Sequence, residues 1–108
     1  MKRGEVRWVT FQAPDKRRPV LVLTRSSVIP YLKWVTVAPI TTTIRNIASE
    51  VFLNKEDGLY TNCVVNLDNI QTISKADLGD LITILSVVRM EEVDQAIVFA
   101  LGIYEHHF

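Results

Sequence analysis

One ordering constrains this chain more than any other feature: short β-type runs come first and a single helical pattern comes last. EVRWVTF sets Val6 and Trp8 against Arg7, Val9 and Phe11, the period-two alternation of a strand. PVLVLTR is nearly continuous in β-branched residues and leucine, which predicts a central strand covered on both faces. Its Pro19 stands at the first position, where a missing N–H does least damage. SSVIPYL leaves room for one helical turn before Pro30. WVTVAPI predicts a third strand, with Pro39 marking a bulge or a sheet edge near its end. ASEVFLN and CVVNLD predict strands four and five, joined by KEDGLYTN with its turn pair Asp57-Gly58. IQTIS reads as a short strand, KADLG as a turn and DLITIL as the last strand.

Ser86 then caps a helix, with Glu91 and Glu92 close to its positive end. Val93, Ala96, Ile97, Ala100 and Leu101 recur at helical spacing, and Gly102 ends the pattern. Val98 and Phe99 widen the apolar stripe; packing under a loop is the commoner cause, a second partner surface the alternative. The fold class expected is mostly β: a small antiparallel barrel with a C-terminal helix.

A length of 108 residues predicts one domain, residues 1–108. A hydrophobic fraction of 48% excludes a disordered chain. The longest apolar runs, such as AIVFALGIY, fall far short of the about 18 residues a membrane span needs. No charged stretch followed by an apolar one opens the sequence, so a cytoplasmic location and no membrane partner are expected. Cys63 is the only cysteine, which excludes an internal disulfide and a cysteine-based zinc cage. The formal net charge of zero hides an asymmetry. Residues 1–45 carry nine Lys/Arg against two acids, 9 − 2 = +7, and residues 46–108 carry three against ten, 3 − 10 = −7. Such a chain is poorly suited to wrapping duplex DNA, where many phosphate contacts dominate affinity. A local basic site suits a short single strand better, although a solvated charged face produces the same composition.

No Gly-rich phosphate loop, Gly-x-Ser-x-Gly elbow or cluster of metal ligands is present, so neither a metal nor a cofactor is expected. His106 and His107 lie in the last three residues, where a general base is poorly held. Cys63 is expected to pack as a small apolar residue. What remains is a polar set at strand ends. Arg18, flanked by Lys16 and Arg17, stands immediately before strand two, and Thr41, Thr42 and Thr43 follow strand three. Asp68, Asn69 and Gln71 occupy the junction of strands five and six. Because sequential strands usually pair, the start of strand two and the end of strand three can lie side by side. A guanidinium beside a hydroxyl offers a phosphate a fork of donors and one orientable O–H. The same threonines also suit a β-turn with backbone hydrogen bonds.

MKRGEVRWVTF, RRPVLVLTR, VTVAPITTTIRNIASEV, DGLYTNCVVNLDNIQTISKADLG and EEVDQAIVFALGI together resemble the MazF/PemK family of toxins from bacterial toxin–antitoxin systems. The resemblance runs in order from Lys2 to about Ile103. It implies a barrel of the plasmid-maintenance-toxin type, a homodimer, and a metal-independent, sequence-specific endoribonuclease acting on single-stranded RNA. The implied products are a 2′,3′-cyclic phosphate and a 5′-hydroxyl, and the implied restraint is a cognate antitoxin peptide, partly disordered and acidic, which the basic N-terminal half would complement. By position, the family's catalytic arginine resembles Arg18 and its catalytic threonine Thr41. The family's RNA-contacting acid–Gln pair resembles Asp68-Asn69, with Asn in place of Gln. RNA contacts are expected from Phe11, Gln12, Lys16, Arg17, Thr42, Thr43, Asp68, Asn69 and Gln71. Many relatives carry a long first loop with a Gly-Ser-Glu-Gln stretch; here QAPDK alone separates strand one from RRP. Two alternatives stay open: a non-catalytic toxin of the same fold that inhibits DNA gyrase, and a plain RNA-binding module.

Overall fold

The computed structural model describes residues 1–10 and 17–106. Phe11, Gln12 and Lys16, three of the expected RNA contacts, and His107 lie outside the described residues. Among the described residues there are seven strands: β1 (Glu5–Thr10), β2 (Arg17–Val22), β3 (Trp34–Thr41), β4 (Glu50–Leu53), β5 (Cys63–Asn66), β6 (Gln71–Ser74) and β7 (Leu78–Ile84). One helix, α1 (Val87–Leu101), follows them. The strands hydrogen-bond in the order β4-β5-β3-β2-β1-β7, with β6 also paired to β3. Every pairing is antiparallel. This is the mostly β architecture with a C-terminal helix that the sequence predicts.

β2 departs from expectation at both ends, beginning at Arg17 rather than Pro19 and ending at Val22 rather than Arg25. The ladder to β1 carries it past the proline, through Trp8↔Pro19 and Val9↔Arg18 to Thr10↔Arg17. Pro19 is tolerated because of where its missing donor would point. Leu23 N–H donates to Thr36 O on β3, and backbone N–H groups alternate sides along a strand, so the nitrogens of Leu21 and Pro19 face β3 as well. The β2–β3 ladder ends at Val20↔Pro39, one residue short of needing that donor.

Pro39 sits at a matching break. β3 pairs with β6 from Trp34 to Val37 and with β5 from Ile40 to Thr41. The proline therefore falls where the outer neighbour changes, which is the irregularity expected there. The short turn near Pro30 spans Ile29–Tyr31 and contains the proline rather than preceding it, because a fixed φ suits the first positions of a helical turn.

β2 is covered on both faces, and each face has its own core. Leu21 packs with Val6, Ala38, Leu53, Val65 and the helix residues Val93 and Ala96. Val20 and Val22 pack with Val9, Ile29, Val35 and Val37. Complete burial of aliphatic side chains of this size is worth roughly 1.5–3 kcal/mol each.

The helix is bounded as expected. Ser86 Oγ accepts the Arg89 N–H at 3.2 Å, and Gly102, at φ 61°, donates its N–H to the Phe99 carbonyl at 3.1 Å. Two readings need correction. Glu91 and Glu92 fall beyond the first turn, which holds no acid. Leu101 points outward, 61% exposed like Phe99 at 62%, so the core-facing stripe narrows to Val93, Ala96 and the partly buried Ile97 and Ala100.

Candidate nucleic-acid interface

Continuing the β2–β3 register two residues past Val20↔Pro39 places Arg18 opposite Thr41. No ladder joins the strands at that point, so the two side chains stand at the mouth of an opening between them. Along β2, Arg18 shares the face of Val20 and Val22; along β3, Thr41 shares the face of Val37 and Pro39. Both residues line a cleft of about 470 Å³ whose floor is the end of the second core, with Val9, Val20, Val37 and Ile73. Its polar wall is Arg18, Thr41, Thr43, Arg45, Glu50, Asn66, Asn69 and Gln71. Both also line a second, smaller cleft of about 200 Å³ over the first core, with Pro19, Ile40, Leu59 and Cys63. The Arg18–Thr41 pair is thus the ridge between two clefts.

The loop after β3 is held in place locally. Thr41 Oγ1 accepts the Thr43 N–H at 3.1 Å, so the hydroxyl proton remains available to a ligand. Glu50 Oε1 accepts the N–H groups of Arg45, at 3.0 Å, and Asn46, at 2.9 Å. Asn46 adopts φ 62°, a left-handed conformation that asparagine tolerates better than most residues. On the far wall, the Asn66 side chain accepts the Asp68 N–H at 3.0 Å and starts the turn Leu67–Asn69. Asp68 Oδ2 accepts the hydroxyl proton of the buried Ser49 at 2.5 Å, tying that turn to the residue before β4.

The expected site residues therefore separate into groups. Arg18, Thr41, Thr43, Asn69 and Gln71 come together around the larger cleft. Arg17 and Thr42 line the smaller one, with Arg17 on the opposite face of β2 from Arg18. Asp68 lines neither cleft and is engaged by Ser49. Arg17 and Arg18 also belong to β2 itself rather than to a segment before it. Cys63 is buried, and burial pushes its thiol above the ordinary value, with the Asp57 charge adding to the effect. It is the small apolar residue expected. His106 is exposed near the end of the chain.

Three residues of the larger cleft were not anticipated: Arg45, Glu50 and Asn66. Arg45 follows the threonines directly in TTTIRN and could have been found from that position. Glu50 could not, because its partners are backbone N–H groups that carry no sequence signal.

Among the described residues no carboxylate pairs with Arg17, Arg18 or Arg45, while Arg3 and Arg7 each hold one and Arg89 holds two. Unpaired guanidinium groups beside a free hydroxyl, on the wall of a cleft with an apolar floor, form an anion site able to take a phosphate and an adjoining base. Among the same residues no group of three His, Cys, Asp or Glu could hold a metal ion, and no helix is long and apolar enough to cross a membrane.

A small β-fold with a cationic cleft beyond the last rung between β2 and β3 is the class of protein that this architecture and site define. Comparison with known proteins narrows that class to one family. The family of PemK-like, MazF-like toxins of type II toxin–antitoxin systems matches residues 2–101, and this chain belongs to it. The Mycobacterium tuberculosis protein named "Endoribonuclease MazF3" is 57% identical over 65 residues, covering 60% of this chain. That match spans 63% of the relative's own length. The solved structure of "Mycobacterium tuberculosis toxin MazF-mt6" superposes with a TM-score of 0.83 at 43% identity, covering 91% of this chain and 96% of that one. A mycobacterial "Endoribonuclease in complex with its cognate antitoxin" superposes with a TM-score of 0.84 at 28% identity, covering 95% and 96%.

Proposed function

We propose that this chain is a metal-independent endoribonuclease toxin that cuts single-stranded RNA at a short base motif. The observation that carries the reading is the placement of Arg18 and Thr41 together at the parted end of β2 and β3, on the walls of both clefts. Family membership and the names of the matched relatives support it. In the reaction, a ribose 2′-oxygen attacks its own 3′ phosphorus and gives up its proton to water. The bond to the 5′-oxygen breaks, and that oxygen takes a proton from water to leave as a 5′-hydroxyl opposite a 2′,3′-cyclic phosphate.

Negative charge accumulates on the non-bridging oxygens as the 2′-oxygen closes in. Arg18 meets that charge with a preplaced fork of donors, which favours the transition state over the ground state. It acts as a cation rather than as an acid, since a guanidinium holds its protons above pH ~12. Thr41, its oxygen lone pair already turned to Thr43 N–H, directs its proton to the phosphate or to the attacking hydroxyl. Thr43, Asn69 and Gln71, with Arg45, supply the donors and acceptors that read a base in the larger cleft.

The rest of the reading follows the family. The chain acts as one domain in the cytoplasm, as a homodimer, and a cognate antitoxin restrains it; the matched mycobacterial endoribonuclease is likewise in complex with its cognate antitoxin. An acidic antitoxin segment would find Arg17, Arg18 and Arg45 unengaged by carboxylates among the described residues.

The test is digestion of single-stranded RNA in the presence of a chelator. Arg18→Ala should lower cleavage by about 100-fold or more, because a lost oxyanion donor costs that much. Arg18 is exposed, so the variant's urea midpoint should match the wild type. Unaltered cleavage by the folded variant, or RNA left intact by the wild type, would overturn the reading.

A further inference from the structure

Tyr60 is 70% exposed, yet its ring rests against a second aromatic residue. Its ring stacks on Trp8 with centroids 6.2 Å apart and planes 22° from parallel. Arg17 covers the Trp8 ring, its guanidinium carbon 4.4 Å from the centroid. Packing does not account for the position of Tyr60, because so exposed a ring buries little apolar area. The cluster of Arg17, Trp8 and Tyr60 instead presents an aromatic surface at the smaller cleft, which Arg17, Tyr60 and Thr61 line together with Arg18 and Thr41.

We propose that Tyr60, backed by Trp8 and Arg17, is the stacking platform for a nucleobase adjoining the phosphate at Arg18 and Thr41, and that the smaller cleft seats that nucleotide. The proposal deepens the nuclease reading and rests on it. A strand whose phosphate lies on the ridge must send its neighbouring bases to either side. The larger cleft offers hydrogen-bonding groups, and the smaller offers Pro19, Leu59 and Cys63 below an aromatic rim. A ring already constrained by Trp8 loses little freedom when a base covers its other side. Stacking accepts every base because every base has a π-face, so this cleft contributes affinity and registration, and the larger one contributes discrimination.

The experiment compares steady-state cleavage of a short single-stranded RNA by wild type, Tyr60→Ala, Tyr60→Phe and Tyr60→Leu. Tyr60→Ala should raise KM about ten-fold with kcat little changed, Tyr60→Phe should behave as wild type, and Tyr60→Leu should resemble Tyr60→Ala. An abasic nucleotide on one side of the cut should weaken the wild type by a similar factor and leave Tyr60→Ala no worse. Wild-type KM in folded Tyr60→Ala, or full rescue by Tyr60→Leu, would overturn the platform while leaving the nuclease reading standing. RNA left intact by the wild type would overturn both.

Discussion

Thr41 shows how much one oxygen can be asked to do. It accepts the Thr43 N–H and so shapes the turn, while its proton stays free for a ligand. Removing the hydroxyl without removing volume separates these tasks from packing. Thr41→Val should reduce kcat by about 100-fold, and Thr41→Ser should retain most of it, as single-turnover cleavage can measure. Glu50 works at one remove, organising the loop that carries Thr43 and Arg45. Glu50→Ala should therefore raise KM for RNA while lowering the unfolding free energy, measured by urea titration, by only about 1 kcal/mol, because water can reach the freed N–H groups. Arg18 and Thr41 were legible in the sequence because each stands at a strand end, and neighbouring strand ends meet. Asp68 was legible as a junction residue but its direction was not, since its partner Ser49 is remote in sequence and recognisable only once β4 and the turn are packed.

Among the elements, α1 is fastened to the segment before β1 by the Arg3–Asp94 pair and to the turn after β4 by a clamp built on Arg89. Arg89 Nε donates to Asp57 Oδ1 at 3.0 Å, Nη2 donates to Asp57 Oδ2 at 3.3 Å, and Nη1 donates to Glu92 at 2.8 Å. Asp57 also accepts the Asn54 N–H at 2.9 Å, closing the turn Lys55–Asp57. Burial opposes ionisation of Asp57, but the bonds from Arg89 and Asn54 outweigh it and hold the carboxyl below its ordinary value of 3.8. A carboxyl depressed in this way adds stability that is complete above the unfolded-state value and disappears as pH falls through the folded one. Asp57→Asn should thus cost about 2 kcal/mol at pH 7, and the gap between variant and wild-type urea midpoints should begin to narrow below pH ~4 and close only once pH has fallen through the depressed folded-state value.

The next residue is equally constrained. Gly58 has φ 94°, and a Cβ there would collide with the Thr83 side chain, whose hydroxyl donates to Asp57 O at 3.0 Å. Gly58→Ala should lower the melting midpoint by an amount equivalent to about 2 kcal/mol or more. The Asp57-Gly58 turn was readable from residue types alone. The narrower helix stripe was not, because spacing reports which residues share a side and says nothing of how far the partner surface extends.

At the scale of the molecule, the charge asymmetry in the sequence resolves into engagement and availability. Arg3 pairs with Asp94 on the helix at 2.7 Å and Arg7 with Glu5 at 2.8 Å, so part of the basic half is spent on the fold. Arg17, Arg18 and Arg45, at the clefts, have no such partners among the described residues. About three phosphate contacts predict a shallow salt dependence for a single strand, a log–log slope near −2, measurable with an RNA whose cleavage-site ribose is deoxy. That substituted strand should bind and remain uncut, because the nucleophile is missing.

The prolines at positions 19 and 39 carry a consequence for how this site could be lost. The donor absent at Pro39 faces outward, where β3 changes partner from β6 to β5, whereas the one absent at Pro19 faces β3, so Pro19 is the residue that keeps β2 and β3 from zipping further. Valine at position 19 would supply the N–H that Pro19 withholds, inviting one more rung with Ile40 beneath the guanidinium and the hydroxyl. The resulting barrel would be more regular and the furrow shallower: a sturdier protein, and a blunter blade.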